Sequence, residues 1–236
     1  MSVGAILSES WTLYTRFFWR LVATAAIVFV VLDLIGAILY QIGKGSTAGG
    51  LFFGLIGFII SWVGLVWVQG ALVEAVSDVR DGKADSSISE LYSRVGPRLP
   101  ALIAAGVVAA IGISIGLILF IAPGLFLLTR WCLFVPAIVI EKKSAGDSFG
   151  RSNELVKGAS WPVLGVIVIA VVGGGIASGI ISGVFQTVFS SFFGYWFGNL
   201  VGHSIFVPFV AAVLTLMYFN RAEAATPAAP AAPAES

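Results

Sequence analysis

Three residues of this chain carry charge or proton chemistry where hydrocarbon should surround them: Asp33, Arg130 and His203, each inside a long apolar run. A charged side chain at the centre of a membrane-spanning helix costs about 2.5–3.5 kcal/mol on insertion scales, so a partner or a function has to hold it there. Counted from the ends of their runs at ~1.5 Å per residue, all three lie about 10 Å below the same surface. Gln186 and Asn199 fall somewhat nearer to it. The spacing predicts one polar cluster open to the outer side. It serves either as an Asp33–Arg130 pair that neutralises two charges and holds the first and fourth spans in register, or as a site for a small polar ligand or ion. His203 is the only histidine, and a single histidine on a helix is a hydrogen-bonding group between helices before it is a catalyst or metal ligand.

Catalytic patterns are scarce. Gly112-Ile-Ser114-Ile-Gly116 has the spacing of a nucleophile elbow, but that motif works at a strained strand-to-helix turn, and here it lies in a continuous apolar helix. A Ser114–His203 dyad at matched depth is the one hydrolytic reading left. No HExxH is present, and one cysteine, Cys132, excludes a disulfide framework or a cysteine metal site. The polar segments are too short for a catalytic domain and hold no phosphate-cradling glycine loop. The expectation is a non-enzymatic protein with no cofactor, no metal and no nucleic-acid partner.

The elements that position these residues follow from composition. Hydrophobic residues make up 58% of the chain and charged residues 11%, against about 25% charged in soluble proteins; the mean hydropathy is +1.02. Six apolar stretches reach or approach the 17–25 residues that a spanning helix needs, roughly: residues 21–40, 51–76, 99–121, 125–140, 163–189 and 197–219. The fourth is short and holds Arg130 and Pro136. Lipid cannot satisfy an open backbone, so helices are the expected state. Of 13 Lys and Arg residues, eleven fall in segments on one side of these stretches, Lys44 lies on the other and Arg130 within a stretch. Basic residues mark the cytoplasmic side, which predicts a multi-pass protein of the cytoplasmic membrane with both termini inside. The short outer connections are expected at residues 41–50, at the Ala122-Pro123-Gly124 turn and at 190–196, where Phe192, Phe193, Tyr195 and Trp196 read as an interfacial belt.

Each cytoplasmic segment carries an apolar stripe at helical spacing: Val3, Ile6, Leu7, Trp11, Tyr14 and Phe18; then Ile88, Leu91, Tyr92, Val95 and Leu99, opened by Ser87 and Glu90 at capping-box spacing; then Ala145, Phe149, Ser152 and Val156. The fold class expected is therefore all-α: a polytopic membrane helix bundle of six transmembrane helices with three cytoplasmic interfacial amphipathic helices, apolar faces down in the headgroup plane. Ser10, Leu13 and Trp19 match Ser152, Leu155 and Trp161 at a constant offset, which fits either a triplicated unit or the general likeness of interfacial helices. Lys142, Lys143 and Arg151 are the expected lipid-facing basic residues. Gly175, Gly179 and Gly183 form a small-residue stripe expected to pack helix against helix, and Gly50/Gly54, Gly112/Gly116 and Gly198/Gly202 share its spacing. Gly173-Gly174-Gly175, Pro136, Pro162 and Pro208 mark kink points. Residues 1–221 form the membrane domain, and 222–236 an Ala- and Pro-rich tail expected to be disordered.

Pro123-Gly124, Arg130, Pro136 and Glu141, followed by Ser152, Leu155, Gly158 and Trp161, resemble the membrane domain of the glycerophosphoryl diester phosphodiesterase type and its stand-alone, multi-span bacterial relatives. The run Leu7-Ser-Glu-Ser-Trp11 with Leu13-Tyr14 is similar to it as well. The resemblance implies a six-helix membrane module in which Arg130 and Glu141 define the fold. It implies no phosphodiesterase activity, which belongs to a separate soluble barrel that this chain lacks. The function expected is organisation of lipid or partner proteins at the membrane, with membrane lipid, a protein partner or a second copy as partners. The alternative is a transporter or channel subunit whose polar site is Asp33, Arg130 and His203.

Overall fold

The computed structural model describes residues 2–80, 82, 84–189 and 192–225, which are helical with no strand. In chain order the helices are α1 (Val3–Arg16), α2 (Phe18–Gly43), α3 (Thr47–Arg80), α4 (Ile88–Val95), α5 (Leu99–Leu119), α6 (Ile121–Trp131), α7 (Phe134–Ile140), α8 (Ala145–Val156), α9 (Ser160–Ile167), α10 (Gly173–Val188) and α11 (Phe192–Ala225). A 3-10 turn joins α4 to α5, and a π-helical stretch, Val168–Val172, joins α9 to α10. Among the described residues six helical stretches are long and apolar enough to cross a membrane: Phe18–Gly43, Thr47–Arg80, Ile88–Leu119, Ile121–Ile140, Ser160–Val188 and Phe192–Ala225. The all-α bundle is the one the apolar runs predict.

Several boundaries differ. Helices continue past the apolar stretch wherever backbone bonding and side-chain caps allow, so α3 runs to Arg80 and α11 starts at Phe192, placing the aromatic belt on its first turns rather than in a loop. The turn expected at Pro123-Gly124 sits at extended Phe120 instead; Pro123 falls in the first turn of α6, where its missing N–H is not needed. The last helix reaches Ala225, four residues into the segment read as tail, and 226–236 lie outside the described residues. The irregularity expected at Gly173–Gly175 falls just before them, in the π-helical stretch.

One end of the bundle is tied by ions. Arg20 (α2) meets Asp78 (α3) at 2.6 Å, Arg80 pairs with Glu223, and Arg151 (α8) meets Glu141 at 2.7 Å. The helices α1, α4 and α8 gather at this charged end, and each buries one side against protein: Ile6, Ser10 and Tyr14; Leu91 and Val95; Ser148, Ser152, Leu155 and Val156. That corrects the expectation of helices lying with apolar faces in lipid. Ile6 joins Leu155, Val163, Val213 and Met217 in one core; Leu91 joins Leu21, Leu72 and Leu216 in a second; Val95 joins Val73, Leu102 and Ile138 in a third. Two tyrosines fix the docking, Tyr14 donating to the Ile205 carbonyl at 2.8 Å and Tyr92 to that of Thr24 at 2.6 Å. All three helices start at a serine whose hydroxyl accepts a first-turn N–H: Ser2, Ser87 and Ser144.

Candidate functional site

Asp33 and His203 meet where α2 crosses α11. His203 Nδ1 lies 3.1 and 3.2 Å from the two Asp33 carboxylate oxygens. Trp196 Nε1 donates across the same crossing to the Val30 carbonyl at 3.3 Å, and Tyr14 of α1 anchors α11 close by at Ile205. Asp33 is buried, its side chain 9% exposed, whereas His203 is 40% exposed and stacks at a tilt on Phe29, 5.1 Å between ring centres. A carboxylate only accepts, so Nδ1 is the nitrogen that donates to Asp33, and Nε2 is turned away from it. Among the described residues Nε2 has no hydrogen-bond partner.

Two cavities meet at this histidine. The larger, about 520 Å³, runs between α3, α10 and α11 and is lined by Gln69, Ser178, Ser182, Gln186, Asn199 and His203 on its polar side. The smaller, about 270 Å³, lies between α2, α3 and α11 and holds Asp33 with Phe29, Trp62 and Leu65. His203, Leu65 and Val207 line both. A third cavity, about 450 Å³, opens at the end that carries Lys44 and shares Phe58 and Ser61 with the second.

Arg130 is not part of this cluster. Its Nη1 donates to Asn153 Oδ1 on α8 at 2.7 Å, its guanidinium lies 5.1 Å from the Phe126 ring centre, and it lines a separate cavity. The fourth span is not one rod: the helix breaks between Trp131 and Phe134, and α8 packs into the break. There the Ser152 hydroxyl donates to the Arg130 carbonyl at 2.8 Å and accepts the Leu133 N–H at 3.1 Å. The Asp33–Arg130 pair is therefore replaced by Asp33–His203. Ser114, on α5, lines none of the cavities that His203 lines.

The glycine stripe also changes role. A methyl added at Gly175, Gly179 or Gly183 would meet nothing within 4 Å, and Gly175 and Gly179 line the polar groove. Close approach is made instead by α11: a methyl at Gly198 would lie 2.9 Å from the Ser182 carbonyl oxygen, and one at Gly202 3.0 Å from that of Ser178. Ser178 and Ser182, the groove residues of this helix that the sequence reading missed, had a signal, since they recur with Gly175, Gly179 and Gln186 along one face, small or polar at every step.

Of the basic residues expected to face lipid, Arg151 and Lys143 turn to Glu141, at 2.7 and 3.8 Å, and Lys142 is exposed. Glu141 also accepts from the Tyr218 hydroxyl. Burial raises its carboxyl pKa, but bonds from Tyr218 and Arg151 outweigh that and hold it below the usual carboxylate range. The bond to Glu141 raises Arg151 in turn. Glu141 thus joins α7, α8 and α11, and Arg130 joins α6 to α8, both as struts of the fold. No group of three or more His, Cys, Asp or Glu that would hold a metal occurs among the described residues.

The family model for a domain of unknown function, DUF7847, matches residues 46–222, and the chain belongs to that family. Comparison with curated proteins and with solved structures found no match.

Proposed function

We propose that this member of the DUF7847 family is a non-enzymatic, multi-pass protein of the cytoplasmic membrane that binds a small polar solute or ion in the groove between α3, α10 and α11. Asp33 and His203 are its proton-exchanging element, which makes the site transporter-like. The observation that carries this reading is the place of His203: one nitrogen is held by a buried carboxylate, while the ring forms a wall of both cavities with its other nitrogen unbonded. Ionisable groups inside a bundle that face a cavity are the usual mark of proton or solute pathways. The clustering of ion pairs at one end supports the topology with both termini inside. The likeness to phosphodiesterase membrane domains belongs to the same proposal as a matter of fold, with Arg130 and Glu141 as struts.

The test is reconstitution into vesicles with an entrapped pH-sensitive dye and an imposed pH gradient. The wild type dissipates the gradient. Asp33→Asn and His203→Gln slow it about tenfold, the effect of losing one charge-assisted hydrogen bond of ~1.5 kcal/mol. Gly179→Leu, which fills the groove from a position with free space around it, slows it too. Full flux in all three variants, or an unfolding temperature that falls in step with flux, overturns the reading.

A further inference from the structure

The cavity at Arg130 has the chemistry of a phospholipid site. It holds about 330 Å³ between α6 and α9 and is lined by Ala122, Leu125, Phe126 and Leu164 along its apolar length, with Arg130, Ser160 and Trp161 at the other end. That end is the charged end of the bundle, where α9 begins.

Two independent features there call for an anion. The first is Arg130 itself. No carboxylate of the described residues lies within ion-pair distance of it; its one bond goes to the neutral amide of Asn153, and its Nε is buried with no partner. An arginine at the edge of an apolar span is stable there only when its charge is answered, and guanidinium matches phosphate oxygens in geometry as well as in sign. The second is the start of α9. Its capping residue is Ala159, which provides no side-chain bond, so the first N–H groups, at Ser160 and Trp161, lack the serine cap that α1, α4 and α8 have. An uncapped helix start with a serine hydroxyl beside it is a ready anion-binding surface. Trp161, 83% exposed, stands next to it as an interfacial tryptophan does.

We propose that this groove binds one anionic phospholipid of the leaflet at the charged end, its phosphate on Arg130, Ser160 and the start of α9, and an acyl chain along Leu125, Phe126 and Leu164. The occupant is a lipid rather than a free anion because the apolar length of the groove continues directly from the anion site and stays open at the bundle surface, where Phe126 is 57% exposed. It is anionic rather than zwitterionic because Arg130 has no carboxylate partner, and a headgroup with its own cation would bring a second positive charge beside that guanidinium. The site shares no residue with the polar groove, so it stands or falls separately from the Asp33–His203 reading.

Native mass spectrometry of the full chain, released from detergent after titration with phosphatidylglycerol, phosphatidylcholine or inorganic phosphate, tests this. One phosphatidylglycerol is retained in preference to phosphatidylcholine, and inorganic phosphate does not displace it. Arg130→Gln lowers retention about tenfold and Arg130→Lys lowers it less, as loss of a bidentate charge contact does. Ala122→Trp fills the groove on the exposed side without touching Arg130 and lowers retention equally, which guards against a folding defect at Arg130; Asp33→Asn leaves it unchanged. Equal retention of phosphatidylcholine, displacement by inorganic phosphate, or undiminished retention in Ala122→Trp overturns the proposal.

Discussion

At the scale of single residues, Asp33 and His203 were legible because each interrupts an apolar run, and an interruption that costs free energy marks itself. Their partner was not legible. Hydropathy gives the depth of a residue along a helix but not its direction around the axis, and Arg130, equal in apparent depth, faces α8 on another side of the bundle. Glu141 shows the same limit: the resemblance marks it as fold-defining, but its partners, Arg151 ten residues on and Tyr218 far along the chain, come from how the helices fold back. Its carboxylate is stabilised in the folded state, so its folded pKa lies below the unfolded one. Such a group contributes stability that is present above the unfolded carboxylate pKa and is lost as pH falls through the folded one. Glu141→Gln is therefore expected to cost about 2 kcal/mol at neutral pH, in the range of hydrogen bonds to charged groups. The gap to wild type closes as the pH is taken below the carboxylate range. Thermal unfolding in detergent at a series of pH values measures it, and a gap independent of pH would contradict the assignment.

At the scale of elements, the existence of the six long helices followed from apolar length, while the way they touch did not. Residues at four-residue spacing share a helix face whether that face meets a neighbour or an opening, so the stripe on α10 and the stripe on α11 read alike. Only the second is in close contact. Gly198→Ala is expected to destabilise by about 1–3 kcal/mol, the usual cost of overpacking, because its methyl meets backbone that cannot yield. Gly179→Ala has open space and a residue of higher helix propensity, and is expected to leave stability equal or up to about 1 kcal/mol higher. The break between α6 and α7 has its own test. Ser152 bridges two backbone groups freed by that break, so Ser152→Ala leaves a buried N–H without its acceptor and costs about 1–3 kcal/mol. An unfolding temperature for Ser152→Ala equal to that of wild type would show that the break is held by something else. The sequence marked Ser152 through its place on the third stripe, the resemblance and its match with Ser10, none of which points to a helix break.

At the scale of the whole molecule, that match extends. Ser2, Ser10, Leu13 and Trp19 recur 142 positions later as Ser144, Ser152, Leu155 and Trp161, and α2 and α9 start at Phe18 and Ser160, the same interval apart. Both tryptophans are exposed, at 79% and 83%, Ser10 and Ser152 are both buried, and the capping serines Ser2 and Ser144 are both exposed. A docked helix followed by a hairpin is thus used at both ends of the chain, with α4, α5 and the broken α6–α7 between them. Each unit brings its docked helix and its basic residues to one end, which explains why the asymmetry of charge is so complete. Arg130, which counted as a mid-span residue by hydropathy, also belongs to that end through Asn153, so among the described Lys and Arg residues Lys44 alone lies at the other. Orientation follows the side on which Lys and Arg accumulate close to the spans. Reporter fusions after Gly146, in α8, and after Phe193, at the start of α11, are therefore expected to read opposite compartments, the first cytoplasmic and the second external. Placing lysines at Gly45, Ser46 and Thr47 while neutralising Lys142, Lys143 and Lys157 should move part of the population to the inverted reading, since it narrows the imbalance without altering an apolar run. Fusions that report the same compartment would mean that the charged end does not lie on one side of the membrane, and both the polar groove and the lipid groove would lose the depth on which their chemistry depends.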